Sequence, residues 1–102
     1  MMSNPLELFQ KEAPEVAQAF NGLIQSIVAS KGLDEKTKQL IYIALKTVDG
    51  DTLALQYHIP AAKELGATKA QVIDAILVSL TVCGIKGVAN AIPLAVKFFE
   101  QS

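Results

Sequence analysis

Two segments of this 102-residue chain, residues 40–48 and 72–82, are apolar over most of the circumference of the helices that they predict. A helix that is apolar nearly all round has to be buried on more than one side. A lone domain of about 100 residues has too little interior to bury two such helices completely, and large exposed apolar patches are rarely tolerated. The pattern therefore predicts that copies of the chain cover each other's apolar faces in an obligate homo-oligomer.

Helix signals follow one another along the whole chain. A proline at the first helical position and a side-chain cap before the first turn are typical helix starts, and glycine is typical of helix ends. These signals predict helices that begin at Pro5, capped by Asn4, and at Pro14. They predict further helices over about 35–48, 51–65, 69–82 and 88–100. The fold class is therefore all-α, a compact bundle of about five or six helices, in one domain over residues 1–102.

Individual residues set the boundaries of these helices. The predicted N-caps are Asp34, Asp51 and Thr68, the last in a capping box with Gln71. A turn is expected at residues 49–50, and a short loop is expected between the glycines at 84 and 87. Pro60 and Pro93 fall inside helical patterns, where we expect a kink or a local break.

Composition excludes several classes of function. The net charge is -1 and the cations are nine lysines with no arginine, so nothing favours a nucleic-acid partner. One cysteine and one histidine cannot complete a tetrahedral metal site, and no cofactor motif is present. The N-terminus lacks the pattern of a signal peptide. The longest uncharged apolar run, residues 75–85, is too short to span a bilayer. We therefore expect a cytoplasmic location, without a membrane partner.

His58 is the only histidine of the chain. Helical spacing places it on the same face as Ala54 and Ala62, two turns beyond Asp51. An imidazole titrates near neutral pH and is the most common general acid or base. A structural or interfacial role explains a single histidine equally well.

The chain resembles the carboxymuconolactone decarboxylase-like family, also called alkylhydroperoxidase D-like. The matching features are the pattern H-x-x-x-A-x-x-x-G-A-T from His58 to Thr68, an apolar helix ending in V-x-G, and a closing A-I-P-L-A helix. They lie in the run LDEKTKQLIYIALKTVDGDTLALQYHIPAAKELGATKAQVIDAIL and in VCGIKGVANAIPLAVKFFE after it, so the resemblance covers about residues 33–100. The resemblance implies an all-helical fold whose subunits associate into trimers or hexamers.

The resemblance also implies a set of functional positions. Peroxidase members of the family carry a Glu, a Cys-x-x-Cys pair and a His, and these positions correspond here to Gln39, Asp51, Ala54 and His58. The chain thus keeps the histidine and lacks both thiols and the acid. Thiol peroxidase activity needs an attacking thiolate and a resolving thiol, so the pattern argues against it. Cys83, the only thiol, ends a very apolar helix and is interpreted as structural.

The decarboxylase branch of the family does not need the thiol pair. The resemblance implies removal of carbon dioxide from a carboxylated unsaturated lactone or a similar small organic acid, with His58 as proton donor. Gln39 or Tyr57 would donate a hydrogen bond, and Asp51 would orient a group or hold a water. Such a substrate is a dianion, so a cationic anchor is expected. The candidates for that anchor are Lys46, Lys63 and Lys86.

Two alternatives stay open beside the decarboxylase. In the first alternative, the protein is a catalytically silent binding or assembly module that has kept the fold and lost the site. In the second, it is a peroxidase-like redox protein. Asp74 and Tyr42 are ambiguous in the same way, since a helix-to-helix hydrogen bond and a core aromatic ring explain them without catalysis.

Overall fold

The computed structural model describes residues 5–100, with side chains from residue 6 onward. This part of the chain contains six helices and no strand, so the prediction of an all-α fold with five or six helices is confirmed. The helices are α1 (Pro5–Glu12), α2 (Pro14–Ala29), α3 (Glu35–Asp49), α4 (Thr52–Glu64), α5 (Lys69–Val78) and α6 (Leu80–Glu100). The predicted cap Asn4 lies outside the described residues. The chain forms two compact units that divide between Gly32 and Leu33.

The first unit is a pair of helices, α1 and α2. Pro14 stands at the start of α2, as predicted, because its fixed φ suits the first turn and its missing N–H has no helical partner to lose. The rings of Phe9 and Phe20 pack edge to face, with centroids 6.0 Å apart. Large apolar side chains on α2 nevertheless stay exposed, namely Val16, Phe20, Leu23, Ile24 and Ile27.

The caps of the second unit are those that the sequence predicts. Asp34 accepts a hydrogen bond from the backbone N–H of Thr37 at 2.7 Å, and Asp51 accepts one from that of Ala54 at 3.0 Å. Thr68 and Gln71 form both bonds of the capping box. Each cap satisfies an N–H group that has no partner inside its helix. Gly50 ends α3 in the left-handed conformation, with φ 73°.

The core of the second unit lies where α3, α4, α5 and α6 meet. Its buried side chains are mostly aliphatic and small, so the helices approach each other closely. They are Ile43, Leu55, Ile59, Ala62, Ala67, Val72, Ile76, Val88, Ala91 and Ala95. α4 and α6 continue through Pro60 and Pro93, where a kink or a break is expected from the sequence.

Two predicted boundaries differ from the structure. The helix predicted over 69–82 is interrupted at Ser79, whose hydroxyl donates to the carbonyl of Ile76 and so competes with regular helical bonding. The loop predicted between the glycines is reduced to one non-helical residue, Gly84, with φ 71° and ψ −171°. Gly87 lies inside α6 and is buried, because it is a point of close approach between α6 and α3.

We expect Gly87→Ala to destabilise the protein by about 1–3 kcal/mol, because overpacking forces a close contact apart. The new Cβ would lie 2.5 Å from the carbonyl oxygen of Thr47 and 2.8 Å from the Cys83 sulfur. Gly22→Ala in α2 is the matched control, since nothing lies within 4 Å of its Cβ position. Alanine there is expected to add up to about 1 kcal/mol of stability. Urea unfolding measures both, and equal effects would contradict the close approach.

α6 is also long and apolar enough to cross a membrane, judged by length and composition alone. This is weak support for a membrane span, because the core helix of a globular protein passes the same test. Within the second unit, α6 turns Val88, Ala91 and Ala95 into the core.

Candidate functional site

The candidate site lies on the helical hairpin of α3 and α4, which the turn at Gly50 joins. On α3, residues 39, 42 and 46 follow one another at spacings of three and four and so share one face. The N-cap Asp51 and residues 54 and 58 of α4 do the same. The two helices run antiparallel, so Gln39 meets His58 at one end of the hairpin and Lys46 meets Asp51 at the other.

Gln39 fixes the imidazole of His58. The Gln39 Oε1 atom lies 2.8 Å from His58 Nδ1. An amide oxygen only accepts hydrogen bonds, so Nδ1 of the ring carries the hydrogen and donates it. In the neutral ring, Nε2 is then the nitrogen with a free lone pair. Gln39 is thus the acceptor in this bond, while the hydrogen bond that the sequence predicts Gln39 to donate would come from its amide NH₂ group and stays a prediction.

Two tyrosine rings surround the imidazole. The ring of Tyr42 stacks on it, with centroids 4.9 Å apart and planes 11° apart. The ring of Tyr57 meets it edge-on at 5.1 Å and 80°. Tyr57 itself is 67% exposed. The imidazole therefore has apolar ring surface on two sides and is half-buried.

Lys46 and Asp51 form the charged end of the site. The Lys46 Nζ atom lies 3.4 Å from Asp51 Oδ2 and 3.9 Å from Asp49 Oδ2. The second carboxylate oxygen of Asp51 caps α4. The backbone N–H of Ala54 is the main cause that lowers the pKa of Asp51, and Lys46 lowers it further. Asp51 thus stays ionised and holds the start of the helix that carries His58.

The surroundings lower the pKa of His58 below its ordinary value. Burial is the largest cause, because it penalises the charged ring. The positive charge of Lys46 lowers this pKa further, and the negative charge of Asp51 partly opposes both effects. At neutral pH, the free protein therefore carries a neutral imidazole with its hydrogen on Nδ1.

Other candidates from the sequence lie in other surroundings. Lys63 donates to the carbonyl of Phe98 at 2.9 Å, and its ammonium lies 5.4 Å from the centre of the Phe99 ring. Lys86 is exposed on α6. Asp74 is exposed on α5, beside a shallow open groove that also contacts Lys69. Among residues 6–100, no three metal-ligating side chains of the His, Cys, Asp or Glu type come together.

Cys83 is half-buried at the irregular turn in α6. Its sulfur lies 3.4 Å from the carbonyl oxygen of Gly84 and 4.0 Å from the Ser79 hydroxyl. The family positions of the two thiols are occupied by Asp51, which is a helix cap, and by Ala54, which has only a methyl group. The hairpin therefore supplies no thiol beside His58.

Two residues of the candidate site have contacts that could not be read from the sequence. Tyr42 stacks on the imidazole, although from sequence it is equally a core aromatic. Lys46 faces the N-cap of α4, although from sequence it is only one of three lysines. The antiparallel pairing of α3 and α4 would have predicted both contacts. Once Gln39 is paired with His58, Tyr42 and Lys46 lie farther along the same face of α3, toward the start of α4.

The fold and the site together define a small all-α protein with one half-buried imidazole on a helical hairpin. The chain belongs to the carboxymuconolactone decarboxylase family, whose model matches residues 14–97. That match extends farther toward the N-terminus than the resemblance over 33–100 that the sequence motifs support.

Three similar proteins give the range of relatives. An uncharacterized protein of Methanocaldococcus jannaschii is 30% identical over 69 residues, which are 68% of this chain and 64% of the relative. An uncharacterized protein encoded in the cox locus of Paracoccus denitrificans is 34% identical over 64 residues, which are 63% of this chain and 58% of the relative. The alkyl hydroperoxide reductase AhpD of Corynebacterium kroppenstedtii is 31% identical over 80 residues, which are 78% of this chain and 44% of that protein. The matches thus span about half to two-thirds of these relatives.

Proposed function

We propose that the protein is a small-molecule decarboxylase that acts on a carboxylated unsaturated lactone or a related small organic acid, with His58 as proton donor. The observation that carries this proposal is the 2.8 Å bond between Gln39 Oε1 and His58 Nδ1, which leaves Nε2 to exchange a proton with a substrate. Membership of the carboxymuconolactone decarboxylase family supports the reaction class. Asp51 and Tyr57 are supporting residues, since one caps the helix and the other borders the ring.

The chemistry proceeds in two steps. The bond between the substrate carbon and the leaving carboxylate breaks, carbon dioxide departs, and the electron pair delocalises as a dienolate onto the lactone carbonyl oxygen. The Nε2–H of the imidazolium then delivers its proton to carbon, which forms the new C–H bond and leaves His58 neutral. A proton from water restores the imidazolium, so each turnover consumes one proton. Aromatic rings beside the leaving carboxylate favour the first step by withholding water from it.

The lowered pKa of His58 is compatible with this role. In the free protein the ring is mostly neutral, but an anionic substrate supplies the opposite charge that raises the pKa of the imidazole in the complex. Gln39 accepts from Nδ1–H in both protonation states, so the orientation of the ring does not change when Nε2 gains or loses its proton. We therefore assign Gln39 as a positioning residue.

The pH dependence of the reaction follows from the direction of this pKa. We expect kcat/KM to fall as the pH rises through the pKa of free His58, which lies below about 6.5, because only the imidazolium donates a proton. The corresponding fall in kcat is expected at higher pH, since it reports the substrate complex. Initial rates over about pH 5–9 measure both. A kcat/KM that rises with pH would mean that His58 acts as a base instead.

Carbon dioxide release and proton delivery test the proposal directly. Unsaturated lactones that carry one or two carboxylates are incubated with the protein in D₂O. We expect release of carbon dioxide in step with the incorporation of deuterium at a carbon of the dienolate, and analogues without the lactone carbonyl should not react. A complete lack of turnover across such a series would favour the silent binding module.

Peroxidase chemistry is the weaker alternative for this chain. The name of the AhpD relative suggests hydroperoxide reduction. The hairpin, however, has Asp51 and Ala54 at the thiol positions, and Cys83 lies on another helix. A dithiol mechanism has no pair of sulfurs to use here.

We further propose that the protein assembles with copies of itself, as a trimer or a hexamer. In the second unit, Val78, Val82 and Ile85, around the irregular turn, are 67–72% exposed. In the first unit, apolar side chains of α2 are exposed as well. Such patches are costly in water. Sedimentation equilibrium should give a stable multimer, whereas a monomer at micromolar concentration would contradict the proposal. The cytoplasm is the proposed location, where the single thiol stays reduced.

A further inference from the structure

Helix α2 presents exposed apolar side chains in a regular row. Val16, Phe20, Leu23 and Ile27, here called the α2 row, follow one another at spacings of four, three and four residues. Each of them is 42–63% exposed. Alternating spacings of three and four are those of the a and d positions of a heptad repeat, through which two helices pack side by side. The α2 row therefore has the pattern of a contact between helices.

The α2 row lies on a different face of the helix from its buried residue. Within the first unit, α1 packs against α2, and Ala17 is the buried residue of α2. At 3.6 residues per turn, Ala17 points roughly 90° away from the mean direction of the row. Phe20 stands at the border between the two faces, since its ring also meets that of Phe9. Two such faces suit a helix that packs against two neighbours, as in a four-helix bundle.

The chemistry of α2 favours a protein helix over a lipid surface as the second neighbour. Glu15 is the one charged residue between Pro14 and Ala29, and the polar side of the helix carries Gln18, Asn21 and Gln25. Helices that lie on membranes are rich in Lys and Arg on their polar face. α2 has neither residue, so no charge on it attracts the anionic headgroups of lipids.

The size of the exposed face matches a contact with a second copy of α2. The neighbouring Ile24 is also exposed and adds to the row. A partly exposed apolar side chain of this size has roughly 70 Å² left to bury, so five of them on each of two helices supply about 700 Å². About two-thirds of a homodimer interface is apolar. The whole contact would thus bury roughly 1,100 Å², which exceeds the approximately 1,000 Å² that a specific interface needs.

An antiparallel pair of α2 helices uses this face best. A twofold axis at the middle of the row brings Val16 against Ile27 of the partner subunit. The same axis brings Phe20 against Leu23 of the partner subunit, so a larger side chain meets a smaller one in each layer. This orientation also aligns the helix dipoles favourably and keeps the two copies of Glu15 at opposite ends, whereas a parallel pair brings them together.

We propose that α2 pairs with α2 of a second copy in an antiparallel, twofold-related contact through the α2 row. This contact is independent of the proposed decarboxylation, and it adds a defined interface to the proposed assembly. A twofold contact gives each copy one partner, so the number of subunits has to be even. Of the two proposed assemblies, the pairing therefore selects the hexamer over the trimer.

Leu23→Glu tests the pairing in the full-length protein. A carboxylate in the middle of the contact should weaken it by about 100-fold or more, which halves the number of subunits in the particle. Glutamate is a good helix former, so the helical circular dichroism should not change. Gln18→Glu places the same charge on the exposed polar side of α2 and is the matched control. Sedimentation equilibrium should give this control the subunit number of the wild type.

A mixture of two variants tests the antiparallel orientation. Val16→Glu and Ile27→Lys should each lose the pairing when they are alone. A 1:1 mixture should recover it, because an antiparallel pair brings the introduced carboxylate against the introduced ammonium at one end and keeps the wild-type contact at the other. In a parallel pair the two introduced charges do not meet. A mixture that does not recover the wild-type particle would therefore overturn the proposed orientation.

The remaining outcomes separate the pairing from the wider assembly. An unchanged subunit number in Leu23→Glu would overturn the pairing. If this variant instead lost binding to vesicles of phosphatidylcholine and phosphatidylglycerol, the row would face lipid, and the pairing would again be wrong. A trimeric wild type would leave the proposed assembly standing and contradict the pairing, whereas a monomeric wild type would contradict both.

Discussion

We expect His58→Ala to lower the turnover of the decarboxylation by roughly 10²–10⁴-fold, the usual contribution of a positioned proton donor. Removal of the imidazole deletes the Nε2–H that forms the new C–H bond. The variant keeps the aromatic rings that surround the leaving carboxylate of the substrate, so a low residual rate is consistent with the mechanism. Steady-state carbon dioxide release at saturating substrate measures the effect.

Controls distinguish a chemical role of His58 from a structural one. The variant should keep its helical circular dichroism, its assembly state and nearly the melting temperature of the wild type, because the ring is only half-buried and lies outside the aliphatic core. Gln56→Ala changes an exposed residue of the same helix and should leave turnover unchanged. Turnover within about threefold of the wild type in His58→Ala would be too small a loss for proton donation.

Gln39→Glu is expected to raise the pKa of His58 by about 1–3 units, because a carboxylate that accepts from Nδ1–H stabilises the imidazolium. The fall of kcat/KM should move to higher pH by the same amount, so the variant gains activity relative to the wild type under alkaline conditions. The chain has one histidine. A proton NMR titration of a tag-free sample therefore reports this residue alone.

Gln39→Met is the matched control, since methionine fills a similar volume and can neither accept the bond strongly nor carry a charge. We expect its His58 pKa to stay at or below that of the wild type. If the glutamate and methionine variants shift the pKa equally, or if neither variant changes it, then Gln39 does not hold the ring in the way described.

The helix boundaries could be predicted from sequence where a local interaction sets them. Asp34, Asp51 and Thr68 bond to backbone groups three residues away, so the chemistry of a few neighbouring residues determines each start. The left-handed end of α3 at Gly50 has the same local cause. These signals together were enough to identify the fold class.

The boundaries that sequence missed depend on tertiary contacts or on competition inside an apolar run. Ser79 interrupts a stretch whose apolar residues resume directly after it, and the sequence pattern carries no sign of its hydroxyl bond to Ile76. Gly87 looked like a loop residue, but its position depends on the nearby carbonyl of Thr47 on another helix. Such a contact has no local signature.

The sequence predicted the central pair of the site, Gln39 and His58, but not how the residues around this pair are arranged. Family spacing aligned Gln39 and His58 with a known pair of positions, and the structure places them 2.8 Å apart. The polarity of their bond, the stacking of Tyr42 and the position of Lys46 all depend on the register and rotation of two helices. Residue types alone do not set these quantities.

The most direct measurement is the ¹⁵N NMR spectrum of the His58 imidazole as a function of pH. We expect a neutral ring with its hydrogen on Nδ1 and a free Nε2, and a pKa below the ordinary value of histidine. A neutral ring protonated on Nε2, or a titration at or above the ordinary value, would contradict a proton donor held by Gln39.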